Sequence, residues 1–476
     1  MTPEEFRRHG HAVVDWIADY RNRLATFPVM AAVEPGALRA TLPAEPPERG
    51  EPFEAVIADL DRLIVPALTH FQHPDFFAFF PSNAELSSVL GAFVSTGLGV
   101  LGLSWQACPA LTEVEQVATD WLRRMLGLSD AWNGVIADTA STCTLVALIC
   151  ARERATGFAL ARGGISGEPP LSVYCSEYSH SSVEKAALLA GFGRAHVRKI
   201  AADSRYAMRV DALAEAIAAD RAAGVVPCAV VATTGTTTTT AIDPIGGIAR
   251  LAREAGIWLH VDAALAGSAM ILPECRPLWN GIESADSIVV NPHKWLGAAF
   301  DCSVYYVRDA EHLARVMGTN PSYLKSAVDE RVTNYRDWGI PLGRRFRALK
   351  LWFLIRSEGV EGLRTRLRRD LENARWLERE VGARPGWRVL APVPLQTVCV
   401  RHEPDGLSGD ALDRHTLAWA ERVNRSGKAY VTPAVLDGRW MVRLSIGALG
   451  TGRENVERLW ELVVAQAESA GSAAIE

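Results

Sequence analysis

The sequence lacks any Cys-x-x-Cys pair and any cluster of histidines and cysteines at metal-ligand spacing, although it contains eight cysteines. Their scatter argues against a zinc motif or a disulfide framework. Cys143, Cys150 and Cys228 lie inside apolar runs, which is typical of reduced core cysteines in a cytosolic protein. We therefore expect a cytoplasmic protein without a metal site.

The chain also lacks a large net charge and an apolar leader. A formal net charge of −5 is small for 476 residues and argues against nucleic-acid binding driven by bulk charge. Glu4 and Glu5, together with the absence of a long apolar run near the first residue, argue against a secretory signal. We therefore predict neither a nucleic-acid partner nor a secretory signal.

One long stretch, residues 87–112, contains no charged residue. Its length alone would admit a membrane span. Four glycines, four serines and a proline interrupt it, however, and such interruptions are typical of a closely packed segment in a soluble protein. We therefore predict no membrane span.

The composition and the pattern of apolar residues predict an α/β fold. An apolar content of 49% and a charged content of 22% fit a globular protein, and 476 residues require more than one subdomain. Strand patterns alternate with helical patterns in the middle of the chain, which predicts a largely parallel sheet covered on both faces. The predicted strands are 171–175, 227–233, 257–261, 287–290 and 303–307, and the predicted helices are 182–189, 210–223 and 245–255.

The two ends of the chain differ from this middle part. Thr2 and Glu5 form a capping box at the start of a helix with a narrow apolar stripe, which favours packing on another surface such as a partner subunit. After residue 345 we predict helices at 346–357, 360–381, 411–423 and 454–466, a strand near 388–400, and strands 429–436 and 439–445 joined by an Asp437-Gly438 hairpin turn. Pro433 would suit an edge strand. Residues 319–339 resemble a long loop of the kind that acts as a lid, and the tail 471–476 is expected to be disordered. The predicted division is a dimer-forming segment 1–80, a large domain 81–345 and a small α+β domain 346–476.

The chemistry is centred on the stretch Ser287-Ile-Val-Val-Asn-Pro-His-Lys294-Trp-Leu-Gly. A short β-branched strand ends at the Asn-Pro pair, so Lys294 lies just beyond the carboxyl end of a strand, where α/β sheets place ligands. The apolar Trp295 and Leu296 would desolvate the amine and lower its pKa. Such an amine suits pyridoxal phosphate, which is held as a Schiff base; the alternative is an ordinary surface lysine.

Other polar residues follow predicted strand ends of the same sheet. Asp262 could pair with a pyridinium nitrogen or simply form a turn, and His180 could stack on a flat ring, move a proton or cap a helix. The hydroxyls of the run Thr139-Ala-Ser-Thr142 open a helix and could bind an anion or serve as an ordinary cap. Threonines 236–240 could contact a cofactor or satisfy their own loop. Their joint placement at one edge of the sheet favours a cofactor site.

With these motifs the chain resembles the aromatic L-amino-acid decarboxylase family, the pyridoxal-phosphate-dependent group II decarboxylases of fold type I, which also contains histidine decarboxylases. The matching runs occur in order and cover nearly the whole chain. They are His73-Pro74-x-Phe-Phe-Ala78-x-Phe-Pro81, Ser104-Trp105, His180-Ser-Ser-Val-Glu184, Ala232-Thr-x-Gly235-Thr-Thr-Thr238, His260-Val-Asp-Ala-Ala264, Asn291-Pro-His-Lys-Trp295, Phe300-Asp-Cys302, Pro321-x-Tyr-Leu-Lys325 and Pro341-Leu-Gly-Arg-Arg-Phe-Arg347.

The resemblance implies a fold, a cofactor and roles for matched residues. It implies an aspartate-aminotransferase-like large domain with a mainly parallel seven-stranded sheet, pyridoxal 5'-phosphate as cofactor, and a homodimer with shared active sites. Lys294 would carry the Schiff base, Asp262 would pair with the ring nitrogen, and His180 would stack on the ring. The remaining cofactor contacts would be Ala264 on the other ring face, Thr237 near the ring, and Ala140, Ser141, Asn291 and His293 at the phosphate.

Tyr323 lies in the family's mobile loop, which closes over the site from the partner subunit. In the implied mechanism the substrate amine displaces Lys294, carbon dioxide leaves, and Tyr323 or His180 returns a proton to the α-carbon. Relatives with phenylalanine at this position tend to be oxidative enzymes that form aldehydes. Tyr323 and His180 therefore favour plain decarboxylation, with Lys294 and Asp262 completing the catalytic set.

The expected substrate pocket departs from the family pattern at two positions. Leu265 replaces a common tyrosine and Leu103 replaces a common phenylalanine, whereas Ser82 fits the pattern and Gly343 matches the aromatic-substrate branch. The predicted substrate contacts are Phe79, Pro81, Ser82, Leu103 and Gly343. We expect tryptophan, phenylalanine, tyrosine or DOPA as substrate; the alternatives are an aromatic aldehyde synthase, a decarboxylase of a non-aromatic amino acid, or a dimeric cofactor-binding protein without turnover.

Overall fold

The structure is a computed structural model that describes residues 1–319 and 328–469. The chain forms two compact units and passes from one to the other after residues 81, 371, 390 and 397. The larger unit contains Ser82–Leu371 and Ala391–Thr397, and the smaller contains Met1–Pro81, Glu372–Leu390 and the described part of Val398–Glu476. The N-terminal segment thus packs with the C-terminal part, and the larger unit extends beyond residue 345. The functional division into 1–80, 81–345 and 346–476 stays a prediction.

In the described residues the larger unit is built on a seven-stranded sheet with the order β1-β7-β6-β5-β4-β2-β3. Strand β7 is antiparallel to both of its neighbours, and the other neighbouring strands are parallel. The mainly parallel sheet is therefore confirmed. The strands are β1 (Asn133–Ala137), β2 (Leu171–Ser176), β3 (Val197–Ile200), β4 (Val226–Thr233), β5 (Trp258–Asp262), β6 (Ser287–Val290) and β7 (Ser303–Val307).

The three helices predicted in the middle of the chain are all present, whereas the helices at 86–98, 109–126, 159–162 and 310–317 were not predicted. The bounds of the predicted helix 245–255 are exact, because an apolar face with period 3.6 ends at a glycine. The α-helices are α1 (Pro3–Arg23), α2 (Ala37–Thr41), α3 (Phe53–Asp59), α4 (Leu86–Leu98), α5 (Pro109–Leu126), α6 (Ala140–Ala155), α7 (Ala159–Arg162), α8 (Ser181–Leu189), α9 (Val210–Ala222), α10 (Ile245–Ala255), α11 (Ala310–Met317), α12 (Ala348–Ala383), α13 (Gly409–Arg425) and α14 (Arg453–Glu468).

The core of the larger unit lies between the sheet and α6. Every residue of β2, β5, β6 and β7 is buried, as expected for central strands covered on both faces. Val146 and Leu148 of α6 belong to the same buried cluster as Val173, Val289 and Tyr305 of the sheet. Burial of these apolar side chains fixes the strand ends that carry the polar residues of the site.

Helix α12 contains residues 348–357 of the first predicted helical run, 346–357, and all of the second, 360–381. They are separated at Gly359, which has a φ of +64° and interrupts the helical geometry. Glycine adopts this left-handed conformation without the penalty of a Cβ atom. The prediction of two helical segments is therefore confirmed, with the break at the glycine between them.

The smaller unit contains the predicted N-terminal helix and hairpin. The Thr2 hydroxyl accepts a hydrogen bond from the Glu5 amide at 3.2 Å, and the Thr2 amide donates to the Glu5 carboxylate at 2.7 Å. Asp437 and Gly438 have positive φ angles of +51° and +73°, as a tight hairpin turn requires. The sheet here has the order β10-β11-β9-β8, with β8 (Trp387–Val389), β9 (Thr397–His402), β10 (Thr432–Leu436) and β11 (Arg439–Ser445).

The prediction of a single strand near 388–400 was wrong. The chain forms two antiparallel strands there, β8 and β9, with Val389 opposite Val400. Pro392 and Pro394 lie between them, and proline cannot donate to a ladder, so the continuous apolar pattern is broken into two strands. Pro433 lies on the edge strand β10, as predicted.

The uncharged stretch 87–112 forms α4, a connection and the start of α5. Among the described residues, no helix combines the length and the apolar character that crossing a bilayer requires. All eight cysteines lie in the described ranges, and each is a buried thiol. The predicted lid and the predicted disordered tail extend into residues 320–327 and 470–476, which lie outside the described residues.

Candidate active site

The catalytic lysine candidate lies in a single tight turn after β6. Residues Pro292–Leu296 form a π-type turn in which Lys294 has φ −92° and ψ −110°, outside the helical region. The Lys294 amide donates to the Asn291 carbonyl at 2.9 Å. Lys294 is partly exposed, whereas Trp295 and Leu296 are fully buried. The predicted placement beyond a buried strand and beside apolar neighbours is confirmed.

Asp262 ends the adjacent strand β5, where it lies opposite Val289 of β6. Its carboxylate is almost fully buried, and Oδ1 accepts a hydrogen bond from the Ala264 amide at 3.1 Å. Both Asp262 and Lys294 act electrostatically on His180. The three predicted catalytic groups therefore share one electrostatic environment at the carboxyl edge of the sheet.

His180 caps the amino end of α8. Its Nδ1 accepts a hydrogen bond from the Ser182 amide at 3.1 Å and lies 2.7 Å from the Ser182 hydroxyl. When the ring is neutral, an accepting Nδ1 leaves the proton on Nε2. Although the residue is exposed, partial desolvation of the ring lowers the His180 pKa; the Asp262 charge opposes this shift and Lys294 adds to it. His180 can therefore present a neutral N–H donor at ordinary pH.

The predicted phosphate contacts lie at two places. Ala140 and Ser141 are the first residues of α6, where backbone N–H groups lack partners within the helix and attract anions. Asn291 is buried, and its Oδ1 accepts from the Ser303 hydroxyl at 2.7 Å. Burial and the nearby Lys294 lower the pKa of His293 to about 4, so its buried imidazole is neutral.

The His293 ring is fixed by the start of β7. Its Nδ1 lies 2.8 Å from the Cys302 carbonyl and 3.1 Å from the Cys302 amide, and the Phe300 ring meets it edge-on at 5.0 Å between centroids. Ala264 is buried two residues after Asp262, and Thr237 lies partly exposed in the turn after β4. The individual roles of these residues toward a cofactor stay predictions.

The predicted substrate contacts divide between the two units. In the larger unit, the Leu103 amide donates to the Leu101 carbonyl at 3.0 Å, and a Cβ atom added at Gly343 would lie 3.0 Å from Cδ1 of Leu101. A side chain at position 343 would therefore crowd Leu101. Ser82 is partly exposed near the start of this unit.

Phe79 and Pro81 belong to the smaller unit. The Phe79 amide donates to the Thr432 hydroxyl at 2.7 Å, and its ring meets Tyr430 edge-on at 5.7 Å. Phe79 has a φ of +49° and is 46% exposed. Its ring thus packs against Tyr430 and remains partly exposed.

Sequence reasoning missed a buried ion pair beside β1. Arg344 donates to both carboxylate oxygens of Glu115, at 3.0 and 2.6 Å, and to the Ile136 carbonyl at 2.7 Å. Glu115 is fully buried and also accepts from the Ile136 amide at 2.7 Å. The pair therefore ties the segment carrying Gly343 to the strand that leads into α6. Glu115 gave no signal because it occurs inside an ordinary helical pattern.

Tyr323, the predicted proton donor, lies outside the described residues. Leu265, one of the two departures from the expected pattern, is buried. Within the described ranges, no group of three or more histidine, cysteine, aspartate or glutamate side chains is placed to hold a metal ion. The groups gathered at this sheet edge are therefore an amine, a carboxylate, an imidazole and a helix amino end.

A family model, the sequences of relatives and a solved structure all match this chain over most of its length. The family model described as pyridoxal-dependent decarboxylase conserved domain matches residues 35–403. A phenylacetaldehyde synthase of Arabidopsis thaliana is 38% identical over 98% of this chain and 96% of its own length. A tryptophan decarboxylase of Camptotheca acuminata is 39% identical over 97% and 94%. A crystal structure of Oryza sativa TDC with PLP and tryptamine is 37% identical, has a TM-score of 0.96 and covers 99% of each chain.

Proposed function

This chain belongs to the pyridoxal-dependent decarboxylase family, and we propose that it converts an aromatic L-amino acid to the amine and carbon dioxide. The observation that carries the proposal is the grouping of three residues. Lys294 follows β6, Asp262 ends the neighbouring β5, and both act on His180. Strand ends of one sheet thus supply the amine, the acid and the imidazole that this chemistry requires.

The chemistry of these residues fits pyridoxal phosphate. When bound, this cofactor supplies an electron-withdrawing ring that takes up the electron pair released as carbon dioxide leaves. Lys294 would hold the aldehyde, Asp262 the ring nitrogen, and the amino end of α6 the phosphate. The neutral His293 and the buried Asn291 would complete the phosphate contacts.

Each protein group has a separate task in this proposal. The Asp262 carboxylate would keep a proton on the ring nitrogen, because a buried negative charge favours a nearby cation. His180 would stack on the ring and offer its Nε2 proton, and Tyr323 would return a proton to the α-carbon. Exclusion of water from the site would strengthen these electrostatic contacts.

An aromatic substrate is supported by the residues expected to line the pocket and by the names of relatives. Gly343 leaves space beside Leu101, and Leu103 adds apolar surface. Relatives include a tryptophan decarboxylase. Steady-state rates with tryptophan, DOPA, tyrosine, phenylalanine and histidine test this proposal, with a bulky aromatic acid expected to react fastest. Histidine as the best substrate would overturn it.

A second candidate function is aromatic aldehyde synthesis, which the match to a phenylacetaldehyde synthase favours. That reaction consumes oxygen and releases hydrogen peroxide and ammonia, whereas plain decarboxylation does not. Product analysis after incubation with mixed amino acids separates the two functions. Tyr323 favours the amine product, so equal amounts of aldehyde and peroxide without amine would support the second candidate.

We also propose a homodimer with shared active sites, located in the cytoplasm. The support is an apolar face of α4 that is 41–56% exposed and formed by Leu86, Leu90, Phe93, Val94 and Leu98. These positions fall on one side of a helix, and contiguous exposed apolar surface usually marks an interface. A second copy of this chain would cover it. The eight buried thiols suit a reducing compartment.

A further inference from the structure

The turn that carries Lys294 does not continue as a regular helix. The non-helical ψ of Lys294 breaks the ladder of bonds that would satisfy the carbonyls of the turn. Buried carbonyls without donors are costly, so they must find partners elsewhere. Five consecutive carbonyls, those of residues 293–297, all accept hydrogen bonds from side chains or amides outside the turn.

Asn83 and Glu85 supply three of these bonds. The Asn83 amide donates to the His293 carbonyl at 3.1 Å, and its side-chain Nδ2 donates to the Lys294 carbonyl at 3.1 Å. The Glu85 amide donates to the Gly297 carbonyl at 2.9 Å. Asn83 is only 1% exposed. One buried asparagine therefore forms hydrogen bonds with both peptide units that flank the Lys294 α-carbon.

Arg366 of α12 supplies the other two bonds. Its Nη2 donates to the Trp295 carbonyl at 3.2 Å and to the Leu296 carbonyl. A Cβ atom added at Gly297, which has a φ of +101°, would lie 2.9 Å from both terminal nitrogens of Arg366. The guanidinium thus packs directly on the backbone of the turn, and only glycine at position 297 permits this approach.

Asp370 lies one helical turn beyond Arg366 and accepts a hydrogen bond from Trp295, the residue after Lys294. The Trp295 indole donates to Oδ2 of Asp370 at 2.9 Å, and both side chains are fully buried. Arg369 donates to the other carboxylate oxygen at 3.1 Å. Residues four apart on a helix lie on the same face, so Arg366 and Asp370 contact the turn together.

We propose that Asn83, Arg366 and Asp370 are positioning residues that hold the Lys294 backbone in its non-helical conformation, so that the amine meets the cofactor aldehyde. This inference rests on the proposed function. The lysine side chain must attach to the cofactor and leave it in every cycle, while its backbone stays fixed. Rigid support from two different elements provides that fixed backbone.

Arg366→Met tests the inference, with Arg364→Met as the matched control. Arg364 belongs to the same helix and also donates to a backbone carbonyl, but to that of Ile271 at 2.9 Å and not to a carbonyl of the lysine turn. Each cofactor-free protein is incubated with pyridoxal phosphate for varied times, quenched with borohydride and digested, and the fraction of Lys294 carrying the reduced cofactor is measured by mass spectrometry. The pH midpoint of the visible absorbance is recorded beside it.

For Arg366→Met we expect labelling of Lys294 to slow by on the order of tenfold or more, since small misplacements of reacting groups have large kinetic effects. The pH midpoint should shift as well, while Arg364→Met labels as the wild type does. Equal labelling rates and pH midpoints in all three proteins would overturn the inference but leave the proposed function intact. Absence of labelling in the wild type would overturn both.

Two substitutions at Asp370 provide a second test, which does not depend on the folding of Arg366→Met. Asp370→Asn retains an oxygen that can accept from the Trp295 indole, whereas Asp370→Leu does not. We expect Asp370→Asn to restore labelling close to the wild-type rate and Asp370→Leu to label slowly. Identical labelling of these two variants would contradict a positioning role for Asp370.

Discussion

Single residues behind the site are held neutral by burial. His260 lies in β5, two residues before Asp262, and is fully buried. Its Nδ1 lies 2.9 Å from the Ser287 hydroxyl, and its Nε2 lies 3.4 Å from the Thr144 hydroxyl. Desolvation lowers its pKa to about 4, although the Asp262 charge opposes the shift. A neutral imidazole can donate from one nitrogen and accept at the other, as this interior position requires.

This histidine should make stability depend on pH. The unfolded chain binds a proton at the ordinary histidine pKa of 6.5, whereas the folded chain does not until about pH 4, so acid favours unfolding. Between pH 7 and pH 5 the wild type should lose about 2 kcal/mol of unfolding free energy relative to His260→Asn. Urea unfolding of both proteins at the two pH values measures that difference.

The wild type must be compared with His260→Asn because two buried carboxyl groups change the unfolding free energy with pH in the opposite direction. Burial raises the pKa values of Asp243 and Asp370 to about 6, so protonation of these carboxyl groups below pH 6 favours the folded state. Their contribution is common to both proteins and cancels in the difference. Parallel pH profiles for the wild type and His260→Asn would contradict the prediction.

We expect Gly343 to determine how large a substrate ring the site accepts. Because a Cβ atom there would lie 3.0 Å from Leu101, Gly343→Ser should narrow the space beside Leu101. We expect the ratio of kcat/KM for tryptophan to kcat/KM for histidine to fall by about tenfold, a typical effect of one added group in a pocket. Steady-state kinetics with both amino acids check this ratio. An unchanged ratio would remove Gly343 from the substrate contacts.

The residues of the site differ in how far they could be predicted. Lys294, Asp262 and His180 could be found because each directly follows a recognisable strand pattern. Asn83 could not, because its contact with the Lys294 carbonyl joins positions 211 residues apart, and neither position carries a local signal for the other. Contacts of this kind arise only when packing brings distant segments together.

At the scale of elements, local pattern was sufficient for the central strands and for α8, α9 and α10, but it did not reveal α4, α5 and α11 or the strands at the sheet edges. Ser287–Val290 and Ser303–Val307 were predicted at both ends because continuous β-branched and aromatic runs are bounded by turn residues. Strand β3 was missed because it is short and carries Arg198 and Lys199 on an edge of the sheet. Pairing with β2 stabilises β3, and the four residues of β3 alone do not predict that pairing.

The lysine turn is an element whose geometry depends on one glycine. Gly297→Ala should destabilise the fold by about 2 kcal/mol, because alanine is unfavourable at positive φ and its Cβ would press on Arg366. It should also slow attachment of the cofactor to Lys294. Urea unfolding and the borohydride assay measure the two effects.

Gly256→Ala is the control for that prediction. Gly256 also has a positive φ, +70°, but a Cβ atom there would have no neighbour within 4 Å. We therefore expect Gly256→Ala to lose stability without slowing attachment to Lys294. Equal losses of stability and equal attachment rates in the two variants would show that the contact with Arg366 has no consequence.

At the scale of the whole molecule, the exposed face of α4 should control assembly. A Leu90→Glu/Phe93→Glu double variant places two charges on that face and should shift the protein from dimer to monomer, with loss of activity if the active sites are shared. Light scattering after size-exclusion chromatography measures the mass. Leu160→Glu, at a leucine of α7 that is 51% exposed, should leave the mass and the activity unchanged. A double variant that remains dimeric would exclude this face.

The central claim is that the Lys294 amine holds pyridoxal phosphate and that the protein thereby removes the carboxyl group of an aromatic amino acid. The most direct measurement is the release of labelled carbon dioxide, together with the amine, from aromatic amino acids labelled at the carboxyl carbon. The wild type, supplied with cofactor, should release one amine for each carbon dioxide, and Lys294→Ala should release neither at a detectable rate. A Lys294→Ala protein that retains the wild-type rate would contradict the claim.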